Sequence, residues 1–384
     1  MTKKKHIYFV SESIPHNGYG SFVVFYRHLI RLKENDYQIT IIIPDYKDLE
    51  RAFFFNEITE NFNVIRVPFN AWWYPPYRQN NALLRKIRFF LIYKLVRKTI
   101  RQAPPDFIIT YFYGNFLNGF AVFLKDIYKC KMGVFLHDDK NLLNKYNKTN
   151  IIFDQYIAQK SSVIWTVSEN LRIFGCSTNN YVILPPIPSG YTPKSITRQP
   201  KKFTVGFSGS TYESYFTVFE FIAKALEAIG GELHIITKDF DRFSTLKAFN
   251  NIKLIPYFTN SGKAMDYLKQ HCSVLFCGYP DDIERMPWIE SCFPSKFVES
   301  VHLNIPIILS SPEGTSLYNW AEKNNWILFT TSPSVKTFEN MFLQLENTAY
   351  WDETAKQSWY VAQNDFNPTK IQYVFEENIK ALLV

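Results

Sequence analysis

Residues 293–304, Phe-Pro-Ser-Lys-Phe-Val-Glu-Ser-Val-His-Leu-Asn, carry the densest chemistry of the chain. Pro and Ser open a helix there, with Ser295 as the expected N-cap. Lys296 then lies in the first turn, where it opposes the helix dipole. A cation in that position is accounted for if an anion such as a diphosphate binds between it and the free backbone N–H groups. Glu299 follows about one turn on, so both side chains can face one ligand, and its carboxylate can accept two hydrogen bonds from ribose hydroxyls. The structural alternative is a capping box in which Ser295 and Glu299 are offset by one position.

Two further stretches have the right residue types. In residues 15–21, Pro-His-Asn-Gly-Tyr-Gly-Ser, Gly18 and Gly20 would let the backbone approach a ligand just before a helix N-terminus. The same pattern also suits a plain βα turn. In residues 133–139, Gly-Val-Phe-Leu-His-Asp-Asp, an apolar strand delivers His137 and Asp138 at its carboxyl end. An imidazole or carboxylate there can bind a sugar hydroxyl or move a proton; otherwise it is a solvated loop with a capping aspartate.

The elements that must position these residues alternate. Strands are expected at 7–10, 38–44, 63–68, 106–111, 132–137, 162–168 and 181–184, with helices at 21–32 and 116–127. Residues 185–202, rich in Pro, Ser and Thr, read as a linker. The alternation then restarts, with strands at 203–207, 232–237, 252–257, 273–277 and 305–309 and helices at 216–228 and 295–302. This is an α/β pattern of two Rossmann-like, doubly wound parallel sheets. The expected domains are 1–190, 191–360 and a returning C-terminal helix within 361–384. Ligands in such sheets bind at the carboxyl ends of the strands, so a cleft between the two domains is the expected active site.

The run FPSKFVESVHLNIPIILSS resembles the donor-binding segment of group 1 (glycogen-synthase-like, family 4-type) GT-B glycosyltransferases. Other pieces match in the same order: Asn17-Gly18-Tyr19-Gly20, Phe135-Leu136-His137-Asp138, Trp165-Thr166-Val167-Ser168-Glu169, Val182-Ile183-Leu184-Pro185 and Val205-Gly206-Phe207-Ser208-Gly209. The resemblance implies a metal-independent, retaining transferase without a cofactor, moving a sugar from a nucleotide-sugar donor to a polysaccharide or lipid-linked glycan acceptor in cell-surface glycan biosynthesis. It gives Glu299 the ribose, Lys296 and Ser295 the diphosphate, and Gly18, Gly20 and Gly209 the close approaches to the donor. His137 and Asp138 are the implied catalytic pair. Two features depart from the family pattern. No Arg or Lys follows Gly209, where Gly-Ser-Thr-Tyr-Glu-Ser stands instead, so Lys238 or Arg285 must substitute if either does. Glu290 and Glu299 are also nine apart rather than eight, which leaves Glu290 only a candidate sugar contact. The departures motivate an alternative function, a catalytically silent GT-B module that binds a partner enzyme or a glycan.

Bulk properties narrow the classes. With 384 residues, 46% hydrophobic and 20% charged, the chain is long enough for two folded domains and is not a disordered sequence. Cys130, Cys176, Cys272, Cys277 and Cys292 lack metal-site or redox spacing, which favours a reducing, cytoplasmic setting. No signal peptide or spanning apolar stretch is apparent. The net charge of +8 implies an anionic partner, but no nucleic-acid-binding motif is found. Residues 82–102 hold seven Lys/Arg and no acid, with Lys86, Lys94, Arg97 and Arg101 on one arc and Leu84, Ile87, Leu91 and Leu95 on another. Trp72-Trp73-Tyr74-Pro75-Pro76-Tyr77 precedes them. The segment is either a helix lying on an anionic membrane, at the inner face, or a core-packed helix with a solvated basic face.

Overall fold

The computed structural model describes residues 4–12, 14–18, 20–45, 53–68, 82–112, 116–138, 148–173, 175–177, 180–189, 202–238, 246–258 and 260–383. Tyr19, the aromatic run 72–77, Asp139 and linker residues 190–201 lie outside them. The chain divides into two compact units, one formed by Met1–Pro185 with Ile371–Val384, the other by Pro186–Lys370.

The first unit is built on strands β1 (His6–Val10), β2 (Gln38–Asp45), β3 (Asn63–Pro68), β4 (Phe107–Tyr111), β5 (Lys131–Leu136), β6 (Val163–Thr166) and β7 (Tyr181–Ile183). They form one parallel sheet in the order β3-β2-β1-β4-β5-β6-β7. β1 and β4 are buried along their whole length, as strands covered on both faces must be, and this is why they read as mainly apolar runs. Helices α1 (Ser21–Glu34), α2 (Phe53–Asn61), α3 (Ala82–Gln102), α4 (Phe116–Tyr128) and α5 (Lys148–Lys160) make the crossovers.

The second unit repeats the plan. Strands β8 (Thr204–Ser208), β9 (Glu232–Thr237), β10 (Ile252–Pro256), β11 (Val274–Gly278), β12 (Ile307–Ser310) and β13 (Phe329–Thr330) run parallel in the order β10-β9-β8-β11-β12-β13. Its helices are α6 (Ser214–Glu227), α7 (Ser261–His271), α8 (Ser295–Ser300), α9 (Ser316–Lys323), α10 (Val335–Glu346) and α11 (Thr348–Gln363). Strand order reverses between β1 and β4 in one sheet and between β8 and β11 in the other. Each sheet thus has a topological switch point, where crossovers diverge and leave a crevice at the strand ends.

The last helix, α12 (Pro368–Leu383), closes the first unit. Phe375 meets the rings of His28, Trp165 and Phe135 at 4.5, 4.7 and 5.3 Å. Polar side chains fix its register: His28 Nδ1 bonds Gln372 Oε1 at 2.8 Å, and Trp165 Nε1–H donates to Asn378 Oδ1 at 3.1 Å.

Helix α3 packs into the core with an exposed basic face, but through a different apolar line from the one read in the sequence. Its core face is Phe89, Ile92, Val96 and Ile100, spaced by three and four residues, with Phe89 meeting Phe116, Phe120 and Phe123 along α4. Leu84, Ile87, Leu91 and Leu95, the apolar line seen in the sequence, face outward together with Phe90. The helix therefore carries two apolar faces, and only one of them has a core to fill. Among the described residues no helix is long and apolar enough to cross a membrane.

Candidate functional site

In the second unit, β8 ends at Ser208 and Gly209 turns the chain toward α6 with φ near +144°, a backbone that side-chain-bearing residues rarely adopt. The glycine has a second reason to be there: a Cβ at this position would overlap the end of the Lys296 side chain. Lys296 leaves α8 and lies back across this turn, its Nζ 4.9 Å from the centre of the Phe207 ring and donating to Ser210 O at 3.4 Å. A cation thus stands at the carboxyl end of the switch-point strand, over a loop that has no cation of its own.

The surrounding loops are fastened to one another. Tyr215 Oη donates to Gly278 O at 2.9 Å, tying α6 to β11. The Ser214 hydroxyl bonds the Asp282 carboxylate, tying the start of α6 to the loop after β11. Tyr212 and Trp288 meet edge to face at 5.5 Å on the outer side of the same turn.

Glu299 points elsewhere. Its Oε2 accepts from the backbone N–H and the hydroxyl of Ser189, at 3.2 and 3.0 Å. Two donors on one carboxylate oxygen are the geometry that a vicinal diol would present. Lys296 and Glu299, one turn apart on α8, thus each bond a different neighbouring loop. Ser295 is not the N-cap. Pro294 takes that place with no side-chain cap, and Ser295 is the exposed first helical residue. The chain leaves β/extended geometry at Pro294, whose ring fixes φ, so the helix starts one residue earlier than the Ser signal implied. The helix also ends at Ser300, followed by a 3-10 turn over Val301–Leu303 that Asn304 stops in the left-handed conformation, φ 57°.

Of the proposed substitutes for the missing cations, Lys238 is exposed directly after β9. Arg285 is exposed and lies 3.9 Å from Asp282. Glu290 is exposed at the end of the 3-10 turn Pro287–Glu290, and its backbone carbonyl accepts from Ser316 Oγ at 3.1 Å.

In the first unit, the loop after β1 leads to Gly20, whose φ of 66° makes the sharp entry into α1. The Gly18 N–H donates to His16 Nδ1 at 3.0 Å. That amide stabilises its own loop instead of pointing at a ligand. His16 is stacked on Phe54 at 4.6 Å, and burial pulls its pKa down to about 4, so the ring is neutral. Glu12, which sequence reasoning passed over, has its Oε1 accept from the backbone N–H groups of Phe116 and Leu117 at 2.8 and 3.0 Å. The N-terminus of α4 at this switch point is where an anion would bind; the chain's own carboxylate already occupies it. The signal was an acid two residues beyond the apolar run Ile7–Val10.

His137 and Asp138 follow β5. His137 is buried against Phe25, Phe135 and Tyr111, with ring centres 5.0, 5.9 and 6.1 Å away. Burial pushes its pKa down to about 3, so it is a neutral imidazole at any physiological pH. Asp138 accepts from Tyr111 Oη at 3.4 Å, and Tyr111 Oη lies 3.3 Å from Ser21 Oγ at the start of α1. Tyr111, the last residue of β4, was also missed by the sequence reading. Among the described residues, no group of three or more His, Cys, Asp or Glu side chains is arranged to hold a metal ion.

No protein-family model matches the chain. No curated protein matches it by sequence. Solved structures do. HepE from Anabaena, in its complex with UDP, superposes with a TM-score of 0.69 at 12% identity, covering 98% of this chain and 100% of that one. Sucrose-phosphate synthase from Thermosynechococcus elongatus gives 0.68 at 11% identity, over 99% of each chain. A putative UDP-N-acetylglucosamine 2-epimerase from Listeria monocytogenes gives 0.60 at 11%, over 99% of this chain and 96% of that one. The shared architecture is GT-B: two Rossmann-like α/β units in one chain.

Proposed function

Taking the GT-B fold as premise, we propose that this chain is a metal-independent glycosyltransferase, of retaining type, that moves a sugar from a nucleotide-sugar donor onto a glycan acceptor. The observation that carries the reading is Lys296 lying across Gly209 at the carboxyl end of β8. A donor diphosphate there would meet the ammonium where the strand ends. When the bond between the anomeric carbon and the diphosphate oxygen breaks, the leaving group carries away the electron pair, and a preorganised cation stabilises that charge.

Each other residue has a role by its geometry. Glu299, already accepting two hydrogen bonds on one oxygen, would receive the ribose hydroxyls in place of Ser189. His137, held neutral by burial, would hydrogen-bond a sugar hydroxyl rather than carry a proton. Asp138, held by Tyr111, would supply the carboxylate. Glu12 fills the comparable anion position of the first unit, which supports the second unit as the donor binder. HepE, solved with UDP and with UDP-glucose, supports a uridine nucleotide as the first donor to try. The acceptor class we assign is a glycan carried on a lipid, reached from the cytoplasmic side of an anionic membrane.

The test is thermal stabilisation by UDP, GDP, CMP, dTDP and their sugar conjugates. One nucleotide should raise the melting temperature of the wild type. Lys296→Ala should weaken its binding about tenfold or more, the loss expected of one charge-assisted contact. Glu299→Ala should largely abolish transfer without unfolding the protein; wild-type turnover would remove that assignment. The catalytically silent reading has one observation in its favour, the cation-free turn Gly209–Glu213. Failure of every nucleotide to bind would establish it.

A further inference from the structure

Glu299 is the last residue but one of α8 (Ser295–Ser300), where the free carbonyls of a helix end disfavour a carboxylate. A carboxylate in that place needs donors. Ser189 supplies two from a single residue: its backbone N–H and its hydroxyl both reach Glu299 Oε2, at 3.2 and 3.0 Å. Two donors a few covalent bonds apart, converging on one carboxylate, reproduce in protein atoms what a pair of neighbouring hydroxyls offers.

The segment that carries Ser189 is built to present it. Residues 185–189 read Pro-Pro-Ile-Pro-Ser. Pro186, Ile187 and Pro188 are buried, and Ser189 is exposed at the end of this anchored run. The prolines fix φ at their own positions, so little conformational freedom is lost when the serine settles on the carboxylate. Release asks little as well. Rotation of the backbone between Pro188 and Ser189 withdraws both donors together while Ile187 keeps its seat. Both hydrogen bonds are exposed to water, which can replace them, so the closed form is favoured by a small margin.

We propose that Ser189 is a resident stand-in for the donor's ribose: it closes on Glu299 in the free protein and must leave before a nucleotide binds. This rests on the reading of Glu299 as the ribose carboxylate. Glu299 then keeps two donors in both states, first from the serine and afterwards from the ribose. Nucleotide binding frees a piece of chain instead of ordering it. The apparent affinity is scaled down by the fraction of molecules in which the strap is open.

The experiment is hydrogen exchange of the full chain followed by mass spectrometry, free and with UDP, GDP or CMP, read on the peptide that begins at Leu184. Pro185, Pro186 and Pro188 have no amide proton, so Ser189 supplies much of that peptide's signal. A bound nucleotide should speed exchange at Ser189 about threefold or more, the reverse of what a ligand does to an amide it covers. Glu299→Ala should speed the same amide with no nucleotide present. Titration supplies a second reading. Ser189→Ala keeps the N–H, loses the hydroxyl, and should bind the nucleotide about three- to tenfold more tightly. Ser189→Thr retains both donors and should match the wild type. Position 189 is exposed, so both variants should fold, which melting curves verify. If a nucleotide stabilises the protein and exchange at Ser189 is slowed or unchanged, the strap is refuted and the donor reading stands. Equal or weaker binding by Ser189→Ala, or unchanged exchange in Glu299→Ala, refutes it in the same way. Binding detected only in Ser189→Ala would support both readings, and no binding to either protein would remove both.

Discussion

At the scale of single residues, Gly209 and Lys296 form one device. The strand end must be glycine because its backbone is left-handed and because the lysine passes over it. Gly209→Ala should therefore destabilise the second unit by about 1–3 kcal/mol through backbone strain, and should also displace the ammonium. Nucleotide affinity should fall by about as much as in Lys296→Ala, which a titration of both variants would compare. Three buried histidines give the first unit a pH signature. Burial holds His16 neutral down to about pH 4, and His28 and His137 down to about 3. In the unfolded chain each takes a proton near pH 6.5, so below that value the unfolded state binds more protons and stability falls. The slope is about 1.4 kcal/mol per pH unit for each histidine, from pH 6.5 down toward the folded values. The melting temperature should drop between pH 7 and 5, and His137→Gln should flatten that drop; an unchanged slope would contradict a neutral, buried ring. The residue types of the proposed donor site stand out in the sequence, since Lys296 and Glu299 sit in a distinctive Pro-Ser-Lys helix. Their partners do not. Lys296 meets Ser210 across 86 positions and Glu299 meets Ser189 across 110, and nothing local encodes such contacts.

At the scale of elements, Glu12 acts as a remote cap. It supplies α4 with the acceptors that a local N-cap would give, from a position 104 residues earlier in the chain. Glu12→Ala leaves two amides at the helix start without their carboxylate, and should cost the first unit about 2 kcal/mol. Denaturant unfolding measures it, and nucleotide binding should survive. Strands were the easiest elements to read: Asn63–Pro68 and Glu232–Thr237 lie where their apolar runs place them, and most others shift by a residue or two. Helices α10 and α11 went unread although their caps were visible, Ser334 accepting from Thr337 N–H and Asn347 from Ala349 and Tyr350 N–H. In α11 a mixed face blurs the apolar period, whereas in α10 Val335, Phe338, Phe342 and Leu345 do repeat at helical spacing and were overlooked. In α3 the failure was different. Two apolar stripes on one helix cannot be ranked by periodicity, because only the packed sheet and α4 decide which of them has a core.

At the scale of the molecule, the first unit is assembled from two separate stretches of chain. Trp165, Phe135 and His28 wait for Phe375 and Gln372. Phe375→Ala removes a fully buried ring and should cost about 3–5 kcal/mol, with the loss confined to the first unit. Nucleotide stabilisation of the second unit should persist, and proteolysis should then cut preferentially within residues 1–185. During synthesis the second unit has all of its sequence, Pro186–Lys370, before the first unit does, because the first still lacks Ile371–Val384. The half whose synthesis begins first is therefore the half that can be completed last, and a chain interrupted before Ile371 would pair a finishable second unit with a first unit whose core stays open.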